Sequence, residues 1–204
     1  MKFDSGRLEN FWQGNAAAVG NASGFVEPLE ATAIMIIAHQ ARTLAAGLME
    51  SSGSDMPGPR MQAAGKAIIS RLWDEVRDFL SVHYRFNTRL DTPFWQHCRT
   101  STPLHGAQPV AEYYQECGPS TGFDLGLLPP QTSLFQLEGF YTLLLGQKVP
   151  HARTARTSGE DNARWQTHRR SCRGAARKAF TMAEGLALIR SPQWHWTPGF
   201  YASP

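Results

Sequence analysis

A chain of 204 residues, 42% of them hydrophobic, is long enough to bury a real core and is not a disordered polymer. Its net charge of +3 collects late: Lys148 to Lys178 holds nine Arg or Lys against two acids, without the aromatic interleaving of a base-stacking surface, so nucleic acid is not the expected partner. Three widely spaced cysteines, Cys98, Cys117 and Cys172, match neither a disulfide framework nor a metal spacing. With no apolar run of membrane-spanning length and no signal-like start, the expected setting is the reducing cytoplasm, away from membranes.

In chain order, Met1 to Asp4 reads as a strand-like fragment, Ser5-Gly6-Arg7 as a turn, and Ala16 to Val19 as a second short strand after the pair Phe11-Trp12. Two strands this short are marginal in water, so the expectation is that they pair with strands contributed elsewhere or pack as a small flap on the helices. Gly20-Asn21-Ala22-Ser23-Gly24 is a small-residue turn where backbone can approach a ligand closely. Pro28 is in phase with the start of a helix expected over Leu29 to Met49, its apolar first half deeply buried. Glu27, Glu30 and Thr32 fall near that helix start, where unpaired amides form an anion or dipole site. On pattern alone, the glutamates are best read as acids that complement the helix dipole.

A second helix is expected over Arg60 to Tyr84, with Ile68, Leu72, Val76, Phe79 and Leu80 in its apolar stripe. Thr92-Pro93 reads as the N-cap and first residue of a short helix carrying Phe94 and Trp95. The aromatics from His83 to Trp95 can line a pocket for a flat ligand or pack a helix corner, and packing is the better reading of the residues alone. Thr100 to Pro130 is irregular apart from a short piece with Tyr113-Tyr114, and Leu134 to Gly146 is a short helix. Ser158 caps one final helix expected to run to about Arg190, before Pro192. The expected fold is therefore mainly α (α+β overall). No Walker loop, Gly-x-Gly-x-x-Gly fingerprint or zinc spacing is present.

The run Gly20-Asn21-Ala22-Ser23-Gly24-Phe25-Val26-Glu27-Pro28-Leu29-Glu30-Ala31-Thr32 resembles the signature of the flavin-dependent halogenases, the tryptophan halogenase family. Further matching pieces follow in the family's order: Ser5-Gly6-Arg7, Trp12-x-x-Asn15, His83-Tyr84, Arg89-x-Asp91-Thr92-x-Phe94-Trp95 and Ser191-Pro192-x-Trp194-x-Trp196. The resemblance implies a C-terminal portion of such an enzyme. The family's Rossmann-type loop, essential lysine and Trp-x-Trp-x-Ile-Pro motif are absent from the sequence, so the isolated chain is expected to be inactive. It also implies three regions: a remnant of the flavin-binding module over 1–26, a helical substrate and halide region over 27–150, and a C-terminal helix with a Trp-rich tail over 151–204.

In the family, reduced FAD from a flavin reductase, together with oxygen, oxidises chloride or bromide, and the halogenating species attacks an aromatic ring. The resemblance places Glu30 as the catalytic carboxylate and the backbone of Thr32 and Ala33 at the halide. It places Gly20, Asn21, Ala22, Gly24 and Ile34 by the flavin, and His83, Tyr84, Phe94 and Trp95 by the substrate. Ala31 stands where many members have Ser, and Ala33 where many have Gly. Members acting on free tryptophan carry a Tyr-Tyr pair and a nearby glutamate; His83-Tyr84 and Leu90 stand there instead, which implies an indole-like substrate without a free amino acid end. The alternatives are a non-catalytic helical module that pairs with a separate flavin domain, and a flavin monooxygenase that does not halogenate. An exposed apolar face would favour aggregation or a homodimer.

Overall fold

Four two-residue strands in two antiparallel ladders open the computed structural model, which describes residues 4–27, 29–51, 56–120, 134–153 and 158–195. β1 (Gly6–Arg7) pairs with β4 (Gly24–Phe25), and β2 (Trp12–Gln13) pairs with β3 (Ala16–Ala17). Gly6-Arg7 is thus paired strand rather than turn, and Ala16-Ala17 finds its partner within the chain, while Met1 to Phe3 of the expected first strand lie outside the described residues. The first ladder closes because Gly24 has no side chain: a Cβ there would lie 2.9 Å from Cε2 of Trp73 and 3.0 Å from Cβ of Arg7. Arg7 ties this ladder to the helices through two bonds of 3.1 Å to the Asp74 carboxylate.

Among the described residues, the rest of the first unit, Met1–Arg153, is mostly helical. It contains α1 (Thr32–Glu50), α2 (Pro59–Arg85), α3 (Pro93–Ser101), α4 (Gln108–Cys117) and α5 (Gln136–Gly146). The mainly α reading holds, with four short strands in place of two. Pro59 and Pro93 occupy first helical positions, where a missing N–H removes no helical bond. Two apolar clusters share α2. Ile69, Leu72, Trp73, Val76 and Leu80 meet Phe11, Trp12 and Ile36 in one, while Phe79 and Val82 meet Val110, Tyr114, Phe140 and Leu144 in the other. Each large side chain buried this way contributes roughly 1.5–3 kcal/mol, so α2 is the beam on which both ends of the site are hung.

α1 departs from expectation in two ways. It begins at Thr32, after a 3-10 turn at Leu29–Ala31, and Pro28 lies outside the described residues. Its first half is not deeply buried: Ile36 and Gln40 are fully covered, but Ile34 is 71% exposed and Ile37 41%. The buried residues Thr32, Ile36 and Gln40 recur every fourth position, a narrow seam rather than a broad face.

The second unit, Thr154–Pro204, contains α6 (Gly159–Ala176) and α7 (Met182–Ile189) in place of one continuous helix. Ser158 caps α6 as expected, in a reciprocal box with Asp161. A second box, Thr181 with Glu184, starts α7 and explains the break. Accepting those hydroxyl and amide hydrogens holds the Asp161 and Glu184 carboxyls below their usual range. Trp196 lies outside the described residues. No helix among the described residues is long and apolar enough to cross a membrane.

Candidate functional site

The Gly20–Gly24 turn is anchored from beneath. The Gly20 N–H donates to Oε1 of Gln40 at 2.8 Å, Gln40 Nε2 donates to the Ser23 hydroxyl at 2.7 Å, and that hydroxyl donates to the Gly20 carbonyl at 2.8 Å. Ser23 and Gln40 are both buried. Gly20 sits at φ 61°, and a Cβ there would lie 3.0 Å from Ile37, so conformation and space both call for glycine. Held in this way, the turn turns Asn21 and Ala22 to solvent. Asn21, Ala22 and Gly24 line one open cavity of about 780 Å³ together with Gly6 and Arg7. Gly20 faces the helix instead, and Ile34 projects from α1 as an exposed side chain.

Between turn and helix the backbone takes an unusual course. Glu30 (φ 62°) and Ala31 (φ 51°) are consecutive non-glycine residues in the left-handed region. Each such residue costs about 1–2 kcal/mol, and conformations of this kind concentrate at functional sites. They aim the Glu30 side chain back toward the end of α2. They also leave α1 with no side-chain cap on its first turn, which holds Thr32 and Ala33. Replacing Ala31 with Gly removes the side-chain clash at the price of a more flexible unfolded chain. The expected net is a stabilisation of about 0.5–1 kcal/mol, read as a rise of roughly 1–4 °C in Tm by calorimetry.

Sequence neighbours His83 and Tyr84 part company in space. His83 Nε2 lies 3.3 Å from Glu30 Oε1, and its Nδ1 lies 3.2 Å from the Phe79 carbonyl. The Tyr84 hydroxyl donates to Glu27 Oε2, and the other Glu27 oxygen is buried without a hydrogen-bond partner among the described residues. Tyr84 also stacks on Trp95 (centroids 5.6 Å apart) and meets Phe94 edge-on, while Phe94 and Trp95 are 5.1 Å apart. Three of the four expected substrate residues therefore form one aromatic group, and His83 stands with the acid. The loop leading to them is clamped by Arg99, which donates to the carbonyls of Asn87 and Leu90 and pairs with Asp91. Leu90 itself is exposed.

Burial first, then the bond to Glu27 and its charge, push the Tyr84 phenol up to about 12 from an ordinary 10. A raised value means that the folded state holds the proton more tightly than the unfolded chain. Its stabilising contribution is complete below pH 10 and is lost as pH rises through about 12. Ultraviolet titration of the wild type minus Tyr84→Phe should show this late phenolate, and titration near 10 would contradict the bond to Glu27.

Sequence reasoning missed the Gln40–Ser23–Gly20 knot and the Glu30–His83 contact. A polar residue inside an otherwise apolar helix stripe was the available signal for the first; nothing local marks the second, across 53 residues. Among the described residues no group of His, Cys, Asp or Glu is arranged to hold a metal.

A family pattern described as tryptophan halogenase matches residues 1–161. The chain is 31% identical over 115 residues to the tryptophan 7-halogenase RebH of Lentzea aerocolonigenes, covering 56% of this chain and 21% of that protein. It is 31% identical over 116 residues to the 7-chloro-L-tryptophan 6-halogenase KtzR of Kutzneria sp. (strain 744), covering 57% of this chain and 22% of that protein. Its fold is similar to that of MibH, described as a lathipeptide tryptophan 5-halogenase, with a TM-score of 0.73 and 34% identity over 92% of this chain and 36% of that one. The aligned part of the chain thus spans about a fifth of the length of these curated relatives.

Proposed function

The chain belongs to the tryptophan halogenase family, and from that premise we propose that it supplies the substrate and halide portion of a flavin-dependent halogenase acting on an indole-like ring. The observation that carries this reading is the placement of Glu30: a strained turn presents its carboxylate beside an uncapped helix N-terminus, and α2 links it to the aromatic group of Tyr84, Phe94 and Trp95. An apolar aromatic substrate suits that group, and Leu90 offers no charge for an ammonium end. Glu30 takes the ring proton or stabilises the cationic ring. The first-turn backbone of α1 at Thr32 and Ala33 suits chloride or bromide.

FAD fits the exposed edge of the turn, where Asn21, Ala22 and Gly24 line a cavity with backbone close at hand and Ile34 stands exposed for a flat ring. When bound in reduced form it would supply, with oxygen, the oxidising power that halide needs. A flavin reductase is the implied source of reduced FAD. The three functional stretches proposed are 1–26 toward the flavin, 27–150 for substrate and halide, and 151–204 as a C-terminal helical segment with a Trp-rich tail. Three free cysteines agree with a cytoplasmic setting.

The test is an assay with reduced FAD, bromide and indole, on the chain alone and on a fusion carrying the flavin-binding portion of a relative upstream. We expect bromoindole from the fusion and none from the chain alone. Hydroxylated indole without halogenation would favour a monooxygenase, and a fusion that binds FAD yet yields no product would favour a non-catalytic module.

A further inference from the structure

We propose that His83 is a positioning residue for Glu30, a doubly protonated imidazole that fixes Oε1 of the carboxylate and leaves Oε2 as the oxygen that takes the ring proton. This rests on the reading of Glu30 given above, but its geometry stands apart from it. The Phe79 carbonyl can only accept, so the 3.2 Å bond to Nδ1 requires a hydrogen on that nitrogen. A neutral ring then carries a bare lone pair on Nε2, facing a carboxylate oxygen 3.3 Å away. Two lone pairs do not hold such a contact; a proton must lie between them. Of the two groups the imidazole is ordinarily the weaker acid, so the proton belongs to the ring and the carboxylate stays ionised.

The surroundings reinforce this arrangement. The His83 ring is pinned edge-on against Phe79, with centroids 5.2 Å apart, and its side chain is only 18% exposed, so it cannot swing away freely. The neighbouring acid, Glu27, already accepts the Tyr84 hydroxyl and does not compete for His83. In the reaction, the Oε2 lone pair takes the proton from the halogenated ring carbon, and the C–H electron pair returns to the ring. The contact with His83 keeps the carboxylate from rotating until that moment. A tyrosine at this position could donate one hydrogen bond but no charge.

The experiment is long-range proton–nitrogen correlation of the imidazole rings in the uniformly labelled 204-residue chain at neutral pH, with His83 assigned by loss of its signals in His83→Gln. Both ring nitrogens of wild-type His83 should carry hydrogen. In Glu30→Gln, where the side-chain amide can itself donate to Nε2, His83 should become neutral with hydrogen on Nδ1 alone. Glu30 is half exposed, so this variant is expected to fold; Glu30→Ala serves as a second and should likewise lose the extra proton. A neutral wild-type His83, or one whose protonation is the same in both Glu30 variants, overturns the proposal. Neither result depends on halogenation, so failure here is distinct from failure of the halogenase reading. In the active fusion, His83→Gln should lower kcat about tenfold with KM for indole unchanged, and a change confined to KM would place His83 at the substrate instead.

Discussion

Glu30→Gln in the halogenation-competent fusion is expected to lower bromination of indole by about 100-fold or more while leaving FAD binding as it was. Glutamine keeps the shape of the side chain, and the left-handed backbone at Glu30 and Ala31 is set by the turn as a whole. What disappears is the negative charge and the lone pair that can take a ring proton. General-base catalysis by a positioned side chain contributes typically 10²–10⁴-fold, and 100-fold corresponds to roughly 2.7 kcal/mol of transition-state stabilisation. Flavin contacts are expected on the other side of the turn, at Asn21, Ala22 and Gly24, so binding of FAD separates a chemical defect from a folding defect. Unchanged bromination would remove Glu30 from the mechanism and leave its strained backbone without a functional account.

Much of this architecture is legible in the sequence, and its gaps have physical causes. The expected second helix matches α2 to within a residue at each end, because a strong 3.6-residue stripe and Pro59 mark it locally. Periodicity is poorer at saying what covers a face: Ile34 and Ile36 look alike in sequence, yet one is exposed and the other is in the core. The break between α6 and α7 has no Gly or Pro to announce it, and the capping box at Thr181 and Glu184 was its only local mark. At the site, family resemblance brought Glu30, the turn and the aromatic residues onto one list. It could not show that His83 leaves its neighbour Tyr84 to stand against Glu30. That pairing is set by a helix end meeting a turn far upstream, information that no local window contains.

Gln40→Ala is expected to be the most destabilising single change at the site, by about 3 kcal/mol. The side chain is fully buried, and its removal breaks two bonds at once. The Gly20 N–H loses its acceptor at 2.8 Å and has no other partner inside the knot; a buried polar group left unmade costs about 1–3 kcal/mol. The vacated volume adds a packing loss of similar size. For a chain of this length, each kcal/mol moves Tm by roughly 2–4 °C, so the midpoint should fall by about 6–12 °C. Gln40→Met divides the two contributions, since it refills the volume but leaves Gly20 unpaired. If hydrogen bonding is the larger part, Met should recover less than half of the loss. A Met variant as stable as wild type would show that the knot adds little beyond its volume. The same two variants bear on function, because the Gly20–Ser23–Gln40 bonds are what join the Gly20–Gly24 turn, proposed above to face the flavin, to α1, the helix whose first turn holds Thr32 and Ala33. Amide hydrogen exchange should therefore quicken at residues 20–24 in both variants before it does so in α2, whose core contacts do not pass through Gln40. Equal quickening in α2 would mean that the turn and the helical core open as one unit.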